Sequence, residues 1–262
     1  VLHYTELRLI QRKRRLRLPP HGPIIDMNMA TIIYIDGFNF YYGAVKGTPH
    51  KWLDYEALCR RLLPRDSIAK IRYFTAPIKP NGTDDSGVQR QHAFLRAVAE
   101  NPLIEIHRGH FRRDPKWLPI APGEWSELTR PRVRPSRIVD LVQRMAERKL
   151  DRPPSIRVMK TEEKGSDVNL ASHLLRDTFK GNCTKALVIS NDSDLAGAIG
   201  IAVAEGVTVG VVNPHRINET SRHLAKVANF KLQLRHQILG SCQLPNPVIT
   251  SKGRQIHKPQ TW

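Results

Sequence analysis

Cysteine is scarce in this chain: Cys59, Cys183 and Cys242 are the three in 262 residues, widely separated, with no CxxC pair and no Cys/His spacing of the zinc type. That excludes a disulfide framework and a zinc module, and it reads as reduced thiols in a cytoplasmic protein. Long apolar runs are also missing. None approaches the roughly 20 residues that cross a bilayer, and the N-terminus lacks the apolar stretch of a signal peptide, so no membrane partner is expected. No GxGxxG or GxxxxGK[ST] occurs, which removes the usual dinucleotide and triphosphate cradles. No GxSxG occurs, and His92, His107, His110 and His173 show no partner spacing for a serine or cysteine nucleophile. Negative charge is in short supply, with 24 Asp and Glu against 42 Lys and Arg, a net charge of +18. Such an excess attracts polyanions, nucleic acid first among them, or else marks a generally basic surface.

What is present is organised as one domain with appendages, as the length suggests. Residues 1–29 carry the basic run Gln11 to Arg17 followed by Pro19-Pro20. They read as a basic N-terminal arm or as an over-long translation start, since Met27 and Met29 lie just before the first regular segment. From Thr31 the pattern alternates between short β-branched runs and helical periods. Strands are predicted at Ile32 to Ile35, Ile68 to Thr75, Leu103 to His107, Ile156 to Thr161, Ala186 to Ser190 and Val207 to Val212. Helices are predicted from Asp54 to Leu63, Asp84 to Glu100, Ser166 to Phe179, Ser193 to Glu205 and Glu219 to Lys226. Repeated βα units with doubly buried strands indicate a parallel sheet with helices on both faces, a Rossmannoid α/β domain over about residues 30–230. The rhythm lapses in an Arg/Pro-rich insertion at about 112–155, which includes Arg130 to Pro135 and a short helix expected at Ser136 to Leu150. An excursion of that length is a phosphate-contacting flap or plain disorder. Residues 231–262 read as an extended C-terminal extension.

In an open parallel sheet, ligands bind beyond the carboxyl ends of the strands. Asp36 follows the first strand, Asp192 and Asp194 follow the Ala186 to Ser190 strand, and Asp167 opens the helix after the Ile156 to Thr161 strand. Any one of them alone is a helix N-cap. Four gathered at one mouth would repel each other unless a divalent cation sat among them, and hard oxygen ligands select Mg²⁺ or Mn²⁺. Asp36 and Asp192 are then the direct ligands, with Asp167 and Asp194 either ligands or holders of metal-bound water. The chemistry expected is metal-assisted hydrolysis of a phosphodiester. Asn39 either faces the same mouth or caps the helix near Phe38. Ser190 contacts bound water or is merely a small residue at a strand end. Lys164 and Lys160 flank Asp167 and either touch substrate phosphates or are simply solvated. Phe40, Tyr41 and Tyr42, and Trp117 and Trp125 in the insertion, are stacking candidates for nucleic-acid bases or ordinary packing residues. A phosphatase of the haloacid-dehalogenase kind would need an aspartate two positions after Asp36, where Phe38 stands.

Tyr34-Ile35-Asp36-Gly37-Phe38-Asn39, Glu163-Lys164-Gly165-Ser166-Asp167-Val168 and Ser190-Asn191-Asp192-Ser193-Asp194-Leu195 resemble, in order and spacing, the three acidic motifs of NYN-domain proteins. Those proteins belong to the PIN-like nuclease superfamily, and the likeness is greatest to its bacterial LabA-like branch, over approximately Thr31 to Pro214. The resemblance implies a PIN-like parallel sheet, a metal site of Asp36, Asp167, Asp192 and Asp194, and an endonucleolytic ribonuclease. It makes RNA the expected partner, with DNA or homodimerisation as further expectations. The alternative reading is a non-catalytic RNA- or protein-binding module on the same fold.

Overall fold

The computed structural model describes residues 30–80, 85–119, 155–216 and 219–262. The basic arm, the interior of the insertion with its expected helix and Trp125, and Asp84 lie outside them. The first strand, β1 (Ala30–Asp36), is the run predicted from its β-branched residues, and Ile33, Tyr34 and Ile35 are fully buried. A single helical turn, α1 (Gly37–Phe40), continues into a π-turn over Tyr41–Val45. Next come α2 (Tyr55–Leu62), β2 (Ser67–Thr75), α3 (Ser86–Val98) and β3 (Ile104–Arg108). Asp54 caps α2 as expected, its side chain accepting from the Ala57 N–H at 3.0 Å.

Two strands, β4 (His110–Pro119) and β5 (Ser155–Lys164), pair antiparallel as a ribbon separate from the main sheet. This corrects the placement of Ile156 to Thr161 in the parallel sheet. A strand inside such a sheet must be apolar on both faces, whereas Arg157, Lys160, Glu162, Glu163 and Lys164 are charged. On the ribbon those charges are solvated, and Glu162 accepts ion pairs from Lys116, Lys160 and Lys164.

The chain returns through α4 (Ser166–Phe179), β6 (Lys185–Ile189), a 3₁₀ turn at Ser193–Leu195, α5 (Ala196–Ala204), β7 (Thr208–Asn213), α6 (Arg222–Val227) and β8 (Phe230–Gln233). The sheet has six parallel strands in the order β3-β2-β1-β6-β7-β8. Strand order reverses between β1 and β6, so the ends of those two strands open the crevice in which such folds hold ligands. Helices cover both faces. One core, with Ile33, Ile35, Leu58, Phe94 and Leu95, lies beneath α2 and α3, and the other, with Tyr34, Leu170, Leu174, Val188 and Ile199, lies beneath α4 and α5.

The C-terminal segment differs from the extended end expected of it. Leu234, Leu239, Cys242, Val248 and Ile256 are buried in the first core, and the Trp262 ring packs on Phe94 and Trp52 at 5.5 and 6.2 Å between centroids. These contacts join residues more than 160 positions apart and leave no local period to read.

One polar cluster is buried among these layers. Arg72, 4% exposed on β2, forks onto Asp177 of α4 at 2.7 and 3.1 Å, and the Tyr34 hydroxyl donates to the same carboxylate at 2.9 Å. Asn182 adds a fourth bond to Asp177 at 3.0 Å, and Arg72 also pairs with Glu105. Burial pushes the Asp177 carboxyl up, but the hydrogen bonds from Asn182, Arg72 and Tyr34 outweigh it and hold the group below its usual range. The helix that begins at the crevice is thus anchored to two strands.

Candidate functional site

At the β1–β6 crevice the carboxylates converge as the sequence predicts, although their local roles are mixed. Asp36 is 5% exposed. Its Oδ1 caps α1 by accepting from the Asn39 N–H at 3.0 Å, and its Oδ2 accepts from the Ser190 hydroxyl at 2.8 Å. Burial raises the Asp36 pKa. The two hydrogen bonds oppose that rise, while Asp192 and Glu163 add to it. Ser190 is fully buried and also accepts from the Asp192 N–H at 3.1 Å, which makes it the joint between the two acidic loops. Asn39 does not cap the helix but faces the same mouth, where its Oδ1 accepts from the Asn191 N–H at 3.0 Å. Asn191 in turn donates to the Glu219 carbonyl and accepts from the Ser221 N–H, tying the loop to α6.

Asp192 caps the 3₁₀ turn by accepting from the exposed Asp194 at its N–H, 3.0 Å away. Gly165 precedes α4 at φ 97°, and Glu163 receives both the Ser166 N–H and hydroxyl, at 3.1 and 2.7 Å. With its N-terminus satisfied by Glu163, the helix leaves Asp167 uncommitted. Burial pushes the Asp167 pKa up to about 6, and Asp36, Asp192, Glu163 and Asp194 reinforce that shift. A carboxylate with such a value exchanges protons near neutral pH. Lys164 turns to the other face of the ribbon and pairs with Glu162 at 3.1 Å.

On the opposite face of β1 lies a pocket of about 290 Å³ over the first core, separated from the carboxylates by Gly37 and Phe38. Tyr55 and Tyr73 form its floor, 4.8 Å between ring centroids, and Phe94 and Trp262 form a wall. Tyr41 and Tyr42 of the π-turn contribute as well, whereas Phe40 is fully buried in the core and Trp117 is exposed on the ribbon. Burial pushes Tyr73 up to about 12, so its hydroxyl stays neutral while it bonds to Tyr55 and Thr75. Arg90 and Lys51 are the cationic side chains of the lining, which includes no Asp or Glu. Sequence reasoning named Tyr41 and Tyr42 as stacking candidates and missed the others. They come from α3, the loop before α2, the end of β2 and the chain's last residues, and no motif links them.

No known family profile matches the chain. It is 32% identical over 258 residues to 6-hydroxy-3-succinoylpyridine 3-monooxygenase HspA of Pseudomonas putida, a match that covers 89% of this chain and 75% of that protein. The chain belongs to the HspA family. A crystal structure of a protein of unknown function from Vibrio parahaemolyticus is also similar, with a TM-score of 0.43 and 14% identity over 80% of this chain and 95% of that one.

Kinship with HspA overturns the expected function. HspA is named a monooxygenase, an oxidoreductase, so the ribonuclease and hydrolase expectation is withdrawn, and with it the alternative of a non-catalytic binding module. The Mg²⁺ or Mn²⁺ expectation falls too, because among the described residues no group of three or more His, Cys, Asp or Glu side chains is arranged to hold a metal. The physical reason lies in the hydrogen bonding. Asp36 and Asp192 are engaged as helix caps, Asp194 is exposed, and the mutual repulsion that seemed to demand a cation is met by retaining a proton on Asp167 up to about pH 6. Among the described residues no helix is long and apolar enough to cross a membrane.

Proposed function

We propose that this chain is an oxidoreductase that transfers one atom of dioxygen to a small aromatic ring compound bound in the aromatic pocket beside Gly37. The observation that carries the reading is the 32% identity to HspA along 89% of the chain. The pocket supports it independently: its rings offer flat apolar faces to a planar substrate, and its volume of about 290 Å³ lies at the small end of ligand sites. At a ring carbon that carries hydrogen, a ring C–H, dioxygen and a two-electron donor such as a reduced nicotinamide, with one proton, give a ring C–OH, water and the oxidised donor; where the ring carbon carries an acyl chain, as carbon 3 does in the compound HspA is named for, the chain leaves as an aldehyde and a second donor and proton are consumed. A flavin-type group is the redox cofactor that a monooxygenase relative suggests. The pocket fits one ring-sized molecule and not a flavin and a substrate together, so no step is assigned to a flavin there.

Within this reading Asp36 and Ser190 hold the start of α1, and with it Gly37 and Phe38 of the pocket lining, in place. The finer place of the fold, a PIN-like sheet related to NYN domains, is part of the same proposal. It is supported by the convergence of the second and third acidic motifs on the end of β1. A cytoplasmic location is proposed from the three free, buried thiols.

The test supplies purified protein with 6-hydroxy-3-succinoylpyridine, ¹⁸O-labelled dioxygen and either reduced nicotinamide or reduced flavin. One labelled oxygen per aromatic product is expected, with oxygen uptake and donor oxidation both dependent on the substrate. Absence of substrate-dependent oxygen uptake with both donors would remove the oxygenase reading.

A further inference from the structure

Two imidazoles meet where α4 crosses the β3 edge of the sheet. His107 of β3 and His173 of α4 lie 4.0 Å apart between ring centroids, and both pack on Phe74 of β2, at 4.9 and 5.6 Å. The His107 Nε2 is 3.4 Å from the Arg72 guanidinium and 3.4 Å from the Glu105 carboxylate. The His173 Nδ1 is buried and has no hydrogen-bond partner among the described residues. The charged groups that face the pair are Arg72 from β2, Glu105 from β3, and Arg176 and Asp177 from α4. Both carboxylates are already committed, Asp177 to Arg72, Tyr34 and Asn182, and Glu105 to Arg72 and Lys70. Both are also held below the usual carboxylate range, so they stay anionic while a histidine titrates.

Neutral imidazoles lie on Phe74 without electrostatic penalty. A proton on His107 sets a cation beside Arg72, and a second on His173 sets two cations 4.0 Å apart with Arg72 and Arg176 nearby. We propose that the His107–His173 pair is a proton-operated latch, which holds α4 against the β3 edge while neutral and drives the two elements apart when protonated. Burial lowers both pKa values, and His107, Arg176 and Arg72 carry that of His173 down to about 4. The stabilisation is therefore complete above the ordinary histidine value and is lost as pH falls toward about 4. One turn beyond His173, the Asp177 cluster keeps α4 on β1 and β2. The latch thus frees the part of the helix before Asp177, including the turn that brings Asp167 to the crevice.

The experiment is native-state hydrogen exchange on the full chain at pH 7.5 and pH 5, corrected for intrinsic exchange, for wild type, His173→Gln and His107→Gln/His173→Gln. The change in α4 protection between the two pH values should be about tenfold more destabilising in wild type than in the double variant, with α2 and α3 alike in both. Asp167 titrates in the opposite sense but is common to every chain, so it drops out of the comparison. A ring-proton NMR titration of His173 in wild type and His107→Gln reads the coupling directly, and needs only the single variant to fold. Its pKa should lie well below the ordinary value in wild type and rise by about one unit once the neighbouring imidazole is gone. Ordinary titration of His173 in wild type, no response to His107→Gln, or the same pH change in α4 protection with and without the pair would each overturn the latch.

Discussion

A single carboxyl group, that of Asp167, makes the stability of the chain depend on pH close to neutrality. Its pKa in the folded chain, about 6, lies above the ordinary value, so folding favours the protonated form. The contribution is at its best below the ordinary carboxylate pKa and is lost progressively as pH rises to about 6. The cost at neutral pH comes to about 1 kcal/mol once solvent screening of a half-exposed group is allowed for. Asp167→Asn removes that cost. Denaturant titrations should show the variant more stable than wild type by about 1 kcal/mol at pH 7.5 and close to equal at pH 4. Oxygenase turnover should be largely kept in the same variant, because Gly37 and Phe38 separate the crevice from the pocket. Gly37 sets a second constraint at this scale. A Cβ there would lie 2.6 Å from the Phe74 carbonyl and 2.8 Å from the Tyr73 hydroxyl, so backbone or ring has to move. Gly37→Ala should cost about 1–3 kcal/mol and weaken binding of a ring ligand, read by melting and by calorimetry.

Among the elements, α4 is the one whose placement matters most, since it carries Asp167 to the crevice while its body rests on β1 and β2. Its fixing point is Asp177, which accepts from Arg72, Tyr34 and Asn182. Asp177→Ala leaves Arg72 charged, 4% exposed and without that partner, and should destabilise the fold by about 3–5 kcal/mol in chemical denaturation. The folded pKa of Asp177 is depressed, so its contribution is present above the ordinary carboxylate value and disappears as pH falls through the folded one. The difference between wild type and Asp177→Ala should therefore shrink in strong acid. The β4–β5 ribbon is also tied to the crevice. Phe111 meets Phe38 edge to face at 5.4 Å, on the same ribbon face that turns Glu163 toward α4.

At the scale of the whole molecule, the strand order β3-β2-β1-β6-β7-β8 puts two features on either side of one strand end: a carboxylate crevice over one core and an aromatic, cationic pocket over the other. The sequence by itself determined the alternating βα frame, because buried parallel strands and amphipathic helices have local periods. It also indicated that Asp36, Asp192 and Asp194 approach one another, because they follow strands of that frame, whereas Asp167 arrives at the start of α4 after a ribbon strand that is not part of the sheet. It did not determine what the carboxylates do. An aspartate that caps a helix, one that holds a metal and one that shares a proton look identical in a string, and only the bonds from Asn39, Ser190 and Asp194 separate them. The ribbon was partly legible, since the charges of Arg157 to Lys164 forbid a doubly buried strand, but its partner lies across an insertion of about 35 residues, far longer than the hairpin turns that pair neighbouring strands in a sequence. The pocket was left wholly to tertiary structure. Lys51, Tyr73, Arg90 and Trp262 are spread over more than 200 positions and meet only when the sheet, α3 and the C-terminal segment pack together, because side-chain contacts across layers have no period along the chain.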